Sequence, residues 1–272
     1  LWIKAFRYPE EWEIEDISSN ELPEELLLEL LGSRKNILFC EGTKGSIDTR
    51  IYNILFPNFT ITPVGSCLSV INYTKAFNKI PNIIVHAYGL IDSDHTNEER
   101  KKSLCENNVF SLLIAEPENL FFDKEFLEAL STQLLKSKSI IESIIEDVLS
   151  LFEHDIELQV SNYVSSKINY HFQNSHVLKG NTLKDIQNNY KMFSDNITIQ
   201  KWFEARKSEL MEIVTAKDFT RTIAVFNNKG LKSIANKQFQ ISDFIECSIN
   251  LLKYNKDTHK FLKRYFPREI TE

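Results

Sequence analysis

Three acidic residues stand where a chain of this pattern can do chemistry. Glu41 ends the apolar run 36–41 (NILFCE) and is followed by glycine; Asp92 and Asp94 follow the apolar run 82–91 (NIIVHAYGLI). If both runs are strands of a parallel sheet, these acids lie at carboxyl ends, where ligands of such sheets gather. Residues i and i+2 at a strand end both reach one point once the chain leaves the sheet, so Glu41 and the Asp pair converge when the strands are neighbours. Three carboxylates held together repel one another unless a cation compensates. Hard oxygen donors in this number suit Mg²⁺ or Mn²⁺. Such ions polarise a phosphoryl oxygen and lower the pKa of a bound water. Taken singly, Glu-Gly is ordinary turn chemistry and Asp-x-Asp an ordinary helix cap; it is their order on alternating strands that points to a site.

Other side chains bear on the same chemistry. Lys44 follows Glu41 in a glycine-containing loop and reads as a phosphate contact or as a solvated lysine; the loop lacks the GxxxxGK[ST] pattern of a P-loop. Ser66 reads as a helix cap, His95 as a proton carrier or a surface residue, and His86 as a structural residue inside its strand. Lys229 lies in an NNKG turn, from which it can reach the acids as a transition-state stabiliser. Lys256, Lys260, Lys263 and Arg264 recur at i, i+4, i+7 and i+8, which predicts one basic helix face able to follow a phosphate backbone.

The elements that must position these groups are legible in the periodicity. Residues 1–6 read as a strand and 8–19 as an acidic linker. A helix is expected from about residue 20 to Gly32, with Pro23 in its first turn. Strands are predicted at 36–41, 60–64, 82–91 and 109–114. Helices are predicted at 46–56 and 66–79, with another beginning at Thr96, where Thr96 and Glu99 match a capping box. Short apolar strands alternating with helices indicate βαβ units around a parallel sheet flanked by helices. Beyond residue 122 the spacing is helical: 123–136, 138–172, 182–192, 198–214 and most of 231–266. Residues 219–226 read as a short strand or a turn. The expected division is an acidic linker and helix at 1–33, an α/β domain at 34–122 and a mostly helical part at 123–272.

The chain has 272 residues, 42% of them apolar, and only 7 glycines, so it is neither disordered nor fibrous. No apolar run reaches the length of a membrane span, and residues 1–30 are acidic, unlike a signal peptide. Cys40, Cys67, Cys105 and Cys247 are scattered with no CxxC spacing, which argues against zinc and fits a reduced, cytoplasmic protein. Net charge is −6, but residues 1–30 carry nine Asp/Glu against Lys4 and Arg7, leaving the rest near neutrality and 253–268 distinctly basic. That distribution keeps a nucleic-acid substrate open. The chain opens on Leu1, as expected of a processed piece or a domain cut from a longer polypeptide.

The ordered stretches NILFCEG, GSIDTRIYNILFP, TPVGSC, AYGLIDSDH and IAEPENLFF resemble a TOPRIM-like family of domains associated with ABC-type ATPases of the OLD and RecF kind. The resemblance covers residues 36–122 best, and NNKGLKSIAN at 227–236 resembles a further family element. It implies a Rossmann-like TOPRIM sheet in which Glu41 is a metal ligand or acid/base group and Asp92 and Asp94 are the DxD ligands. It further places Glu116 and Glu118 in an ExEN element that completes the metal site, and makes Asp48 a secondary candidate. The family often carries arginine between the two aspartates; here it is Ser93. Residues 1–6 resemble the end of an upstream ATPase domain. Members of the PARIS-like anti-phage systems imply a toxic nuclease directed at RNA, tRNA in particular, or at DNA. An ABC-type ATPase is the implied partner, and a homodimer is compatible with it. The alternative is a TOPRIM-like module that docks on an ATPase and no longer cuts. A topoisomerase ranks last, because no tyrosine is marked as its nucleophile.

Overall fold

The computed structural model describes residues 2–7, 11–15, 22, 23, 26, 30, 33–81, 84–93, 98–174 and 180–271. Strands β1 (Trp2–Arg7) and β2 (Glu11–Glu15) form an antiparallel pair, so the stretch expected as a linker contributes a strand. Most of the helix expected up to Gly32 lies outside the described residues; Leu26 and Leu30 are helical within it.

The α/β part follows the expected alternation. Its elements are β3 (Asn36–Cys40), α1 (Ile47–Leu55), β4 (Phe59–Pro63), α2 (Cys67–Asn78), β5 (Ala87–Ile91), α3 (Glu98–Cys105) and β6 (Val109–Ser111). The four strands form one parallel sheet in the order β4-β3-β5-β6. The chain steps outward from β3 to β4, then crosses back to β5 on the other side, so the direction of growth reverses between β3 and β5. Such a reversal opens a crevice at the carboxyl ends of the two strands.

Alternation along the strands divides the interior. Leu38, Cys40, Leu90 and Phe110 face α1, with Ile51, Tyr52 and Leu55, in the larger core. Ile37, Phe39, Ala87, Ile91 and Val109 face α2, with Val70 and Phe77, in a smaller one. Two predicted strands are shorter in the structure. β5 begins only at Ala87, because the Asn78 side chain takes both polar groups of that residue at 2.7 and 2.9 Å, and Asn36 Oδ1 accepts from the His86 N–H. His86 therefore precedes the strand and is exposed. β6 ends at Ser111, after which the chain leads into a 3₁₀ turn, Pro117–Phe122.

Helices α4 (Lys124–Gln133), α5 (Ser139–Asn174), α6 (Leu183–Asp195), α7 (Ile199–Ala216), α8 (Phe219–Val225), α9 (Leu231–Phe239) and α10 (Phe244–Tyr254) follow, then a 3₁₀ turn, Lys256–Thr258, and the short helices α11 (His259–Lys263) and α12 (Arg268–Thr271). Residues 219–225 are helical, capped by Asp218, whose carboxylate accepts from the Arg221 N–H at 3.0 Å. Helix α5 runs past His171, so the expected loop there is shorter. The larger core continues from the sheet through α4, α5, α9 and α10 to Ile270, crossing the expected boundary at residues 122 and 123. Among the described residues no helix is long and apolar enough to cross a membrane.

Candidate functional site

Strand register decides where the first acids meet. Cys40 lies opposite Leu90 in the β3–β5 ladder, so Glu41 and Asp92 leave neighbouring strands at the point of reversal. The Asp92 N–H donates to Glu41 Oε1 at 3.1 Å, which turns the glutamate toward the Asp92 strand end. Asp94 and His95 lie outside the described residues.

Gly42 allows that turn. It adopts φ +86°, and its N–H and carbonyl pair with Gly65 at 2.9 and 3.0 Å, tying the loop after β3 to the loop after β4. Gly65 has φ +90°, the same left-handed region in which glycine is at no steric disadvantage. Ser46 and Ser66 then cap α1 and α2, each accepting a backbone N–H three residues on. A Cβ at position 42 would lie 3.4 Å from Asp48 Oδ2, so the Asp48 carboxylate, in the first turn of α1, faces the Glu41–Gly42 turn.

Electrostatics report the same convergence. The Asp48 carboxyl is pushed up to about 6, first by burial, then by the negative charges of Glu118 and Glu41; a backbone hydrogen bond and Lys229 act in the opposite sense. Burial raises the Cys40 thiol, and Asp48, Asp92 and Glu41 raise it further. Burial likewise raises the Tyr52 hydroxyl, with Asp92 and Asp48 the next contributors. Three groups on two elements, β3 and α1, therefore sense one cluster of acids, as expected where like charges share a poorly solvated site.

Glu118 and Lys229 also line a cleft of about 50 Å³ together with Glu116, Asn119, Asn228 and Lys232. Glu116 is buried at 5% exposure ahead of the 3₁₀ turn. The structure thus brings Glu41, Asp48, Asp92, Glu118 and Lys229 into one electrostatic neighbourhood, with Glu116 on the wall of the adjoining cleft. Lys44 is exposed in the loop after Glu41. Among the described residues, no three His, Cys, Asp or Glu side chains stand close enough together to hold an ion by themselves.

The helix expected through 231–266 breaks at Asn255, just ahead of the basic residues 256–264. Lys256 belongs to a 3₁₀ turn, and α11 has only five residues. Asn255 interrupts the helix by accepting the Asp257 N–H on its side chain at 3.1 Å. Lys263 lies over the Phe56 ring, and the Arg264 guanidinium is bound to Asp123 and Glu125. Lys256 and Lys260 are exposed.

Sequence reasoning missed the side chains that hold the Lys229 loop: Asn119, Asp155, Gln159 and Asn228. One signal was available: Gln159 is a polar residue flanked by Ile156 and Val160 on the apolar stripe of α5. Comparison of the chain with protein-family models, curated proteins and solved structures finds no match.

Proposed function

We propose that this chain is a Mg²⁺- or Mn²⁺-dependent nuclease of the TOPRIM kind, hydrolysing phosphodiester bonds in RNA, tRNA in particular, or in DNA. The observation that carries the reading is the meeting of Glu41 and Asp92 at the reversal of a parallel sheet, with Asp48 crowded by its acidic neighbours. The donor set fits a hard divalent cation: every candidate is a carboxylate, and crowding that raises Asp48 is what a cation relieves. Glu41, Asp92, Asp94 and Glu118 are the residues that would hold it. Bound there, the ion supplies Lewis acidity toward a phosphoryl oxygen and a water of lowered pKa. Lys229 stabilises the charge that develops on the phosphate, and Glu41 orients the Asp92 strand end through its amide contact. The sequence resemblance extends the reading to the effector of an ATPase-linked anti-phage system.

The direct test incubates purified protein with RNA, tRNA and DNA, with and without Mn²⁺. The wild type cleaves at least one of these only with metal. Glu41→Ala loses cleavage by 10²-fold or more, of the order expected for loss of a group acting in the transition state, while keeping its circular dichroism and melting behaviour. Undiminished cleavage by Glu41→Ala discards the mechanism.

A second reading is a TOPRIM-like module that docks on an ATPase without cutting. Two observations favour it: the Glu41 carboxylate already serves a structural amide, and no three ligand-type side chains converge among the described residues. Under this reading calorimetry detects no Mn²⁺ binding and no nucleic acid is cleaved.

A further inference from the structure

Lys229 sits on residues 226–230, a segment whose backbone is gripped by side chains from two other parts of the chain. Gln159, in α5, is 3% exposed. Its Nε2 donates to the Asn227 carbonyl at 2.9 Å, and its Oε1 accepts from the Asn227 N–H at 3.2 Å. One side-chain amide thus fixes both polar groups of one residue, as a neighbouring strand would. Asn119, 1% exposed, donates from Nδ2 to the carbonyls of Ile223 and Phe226 at 3.0 and 2.9 Å. One turn before Gln159, Asp155 Oδ2 accepts from Asn228 Nδ2 at 3.0 Å, and Asn228 Oδ1 in turn accepts from the Gly230 N–H at 2.7 Å.

A buried amide is costly unless both its ends are bonded. Gln159 occupies a place on α5 where Ile156 and Val160 pack into the core, and an apolar residue there would add to the same packing. What the glutamine achieves instead is to hold Asn227, two residues ahead of Lys229. Lys229 is itself exposed, yet it lines the cleft shared with Glu116 and Glu118. A lysine has a long flexible stem, so its placement depends on where its backbone is held.

We propose that Gln159 is a positioning residue for the phosphodiester chemistry, acting through Lys229: by gripping Asn227 it keeps Lys229 on the wall of the cleft where the substrate phosphate is received. The inference rests on the nuclease reading. It makes the site composite, with acids supplied by the sheet and the cation by a loop that the helical part holds in place.

The test is a double-mutant cycle on the full chain, comparing wild type, Gln159→Met, Lys229→Ala and the double variant in Mn²⁺-dependent cleavage. Gln159→Met keeps the length of the side chain and removes both hydrogen bonds. It lowers kcat roughly 10- to 100-fold, the loss expected from a misplacement near 1 Å, with KM changed less than about threefold. Lys229→Ala loses at least as much, and the double variant is no slower than Lys229→Ala alone. A residue with a purely structural role gives losses that multiply; that result, or an unaffected Gln159→Met, overturns the proposal. Should Gln159→Met fail to fold, Gln159→Ala is read by the same criteria. If the wild type cleaves nothing, the nuclease reading fails separately. The cycle is then read in the Kd for a single-stranded oligonucleotide, where equal and non-cumulative weakening by the two variants supports the positioning and any other pattern refutes it.

Discussion

Asp48 is where the crowding of the site is most open to measurement. Its folded carboxyl titrates near 6, against about 3.9 for an unperturbed aspartate. The folded protein therefore holds that proton more tightly than the unfolded chain between these values. Stability from the protonated form is complete below about pH 4 and is lost as pH rises through 6. Asp48→Asn is expected to raise the melting temperature at pH 7.5 and to flatten its dependence between pH 4 and 6. The gain is about 1–2 kcal/mol once partial solvent screening is allowed for. Saturating Mn²⁺ narrows the gap between variant and wild type, because a cation in the cluster relieves the same repulsion. Identical pH profiles for the two proteins would remove Asp48 from the cluster. At this scale the sequence was informative where chemistry follows strand grammar: Glu41 and Asp92 are strand-end acids, and Lys229 is marked by its turn. Of Gln159 it showed only a polar residue on an apolar helical stripe, and not what that residue holds, because its partner lies 68 positions away.

Elements were legible where their own residues decide them, and not where a distant side chain does. Residues 219–226 carry β-branched and aromatic types that read as a short strand or a turn. Asp218 caps them as a helix, and Asn119 accepts the duty of satisfying the carbonyls of Ile223 and Phe226. The basic run at 253–268 shows the same override. The spacing of 256–264 predicts a solvated basic face, but the Arg264 guanidinium is bound to Asp123, whose side chain is 2% exposed. That carboxylate also accepts from Tyr265 Oη at 2.8 Å and from the Phe126 N–H at 3.0 Å as the cap of α4. Arg264→Ala leaves the Asp123 charge without its guanidinium. Because Arg264 itself is half exposed, we expect a loss of roughly 2–3 kcal/mol, somewhat less than for a fully buried pair. Urea unfolding reads this directly, and Lys256→Ala and Lys260→Ala, at exposed positions, stay within about 0.5 kcal/mol of wild type. Equal effects at all three positions would return Arg264 to the solvated basic surface that the spacing alone predicts.

For the molecule as a whole, the boundary that composition marks at residue 122 is a change of architecture within one core. The sheet face bearing Leu38, Leu90 and Phe110 is covered by α1, and α1 is covered from beyond the boundary. The Phe266 ring meets those of Tyr52 and Phe56 at 5.8 and 4.9 Å, Arg50 pairs with Glu246 of α10, and the Leu113 N–H donates to the Tyr265 carbonyl at 2.9 Å. A fragment ending at residue 122 would expose Tyr52, Leu55 and Phe56, all buried in the full chain, along with Phe121 and Phe122. Fully burying side chains of this size contributes about 1.5–3 kcal/mol each, so five of them amount to the whole stability of an ordinary domain. The fragment 34–122 is therefore expected to lack a cooperative thermal transition, while the full chain's sheet and helical part melt together, with amide hydrogen exchange of the sheet strands and far-ultraviolet dichroism following one midpoint. A folded, cooperatively melting 34–122 fragment would show that the sheet stands alone. The helical part would then be an appendage, and the composite site, in which Lys229 depends on α5, would lose its physical basis.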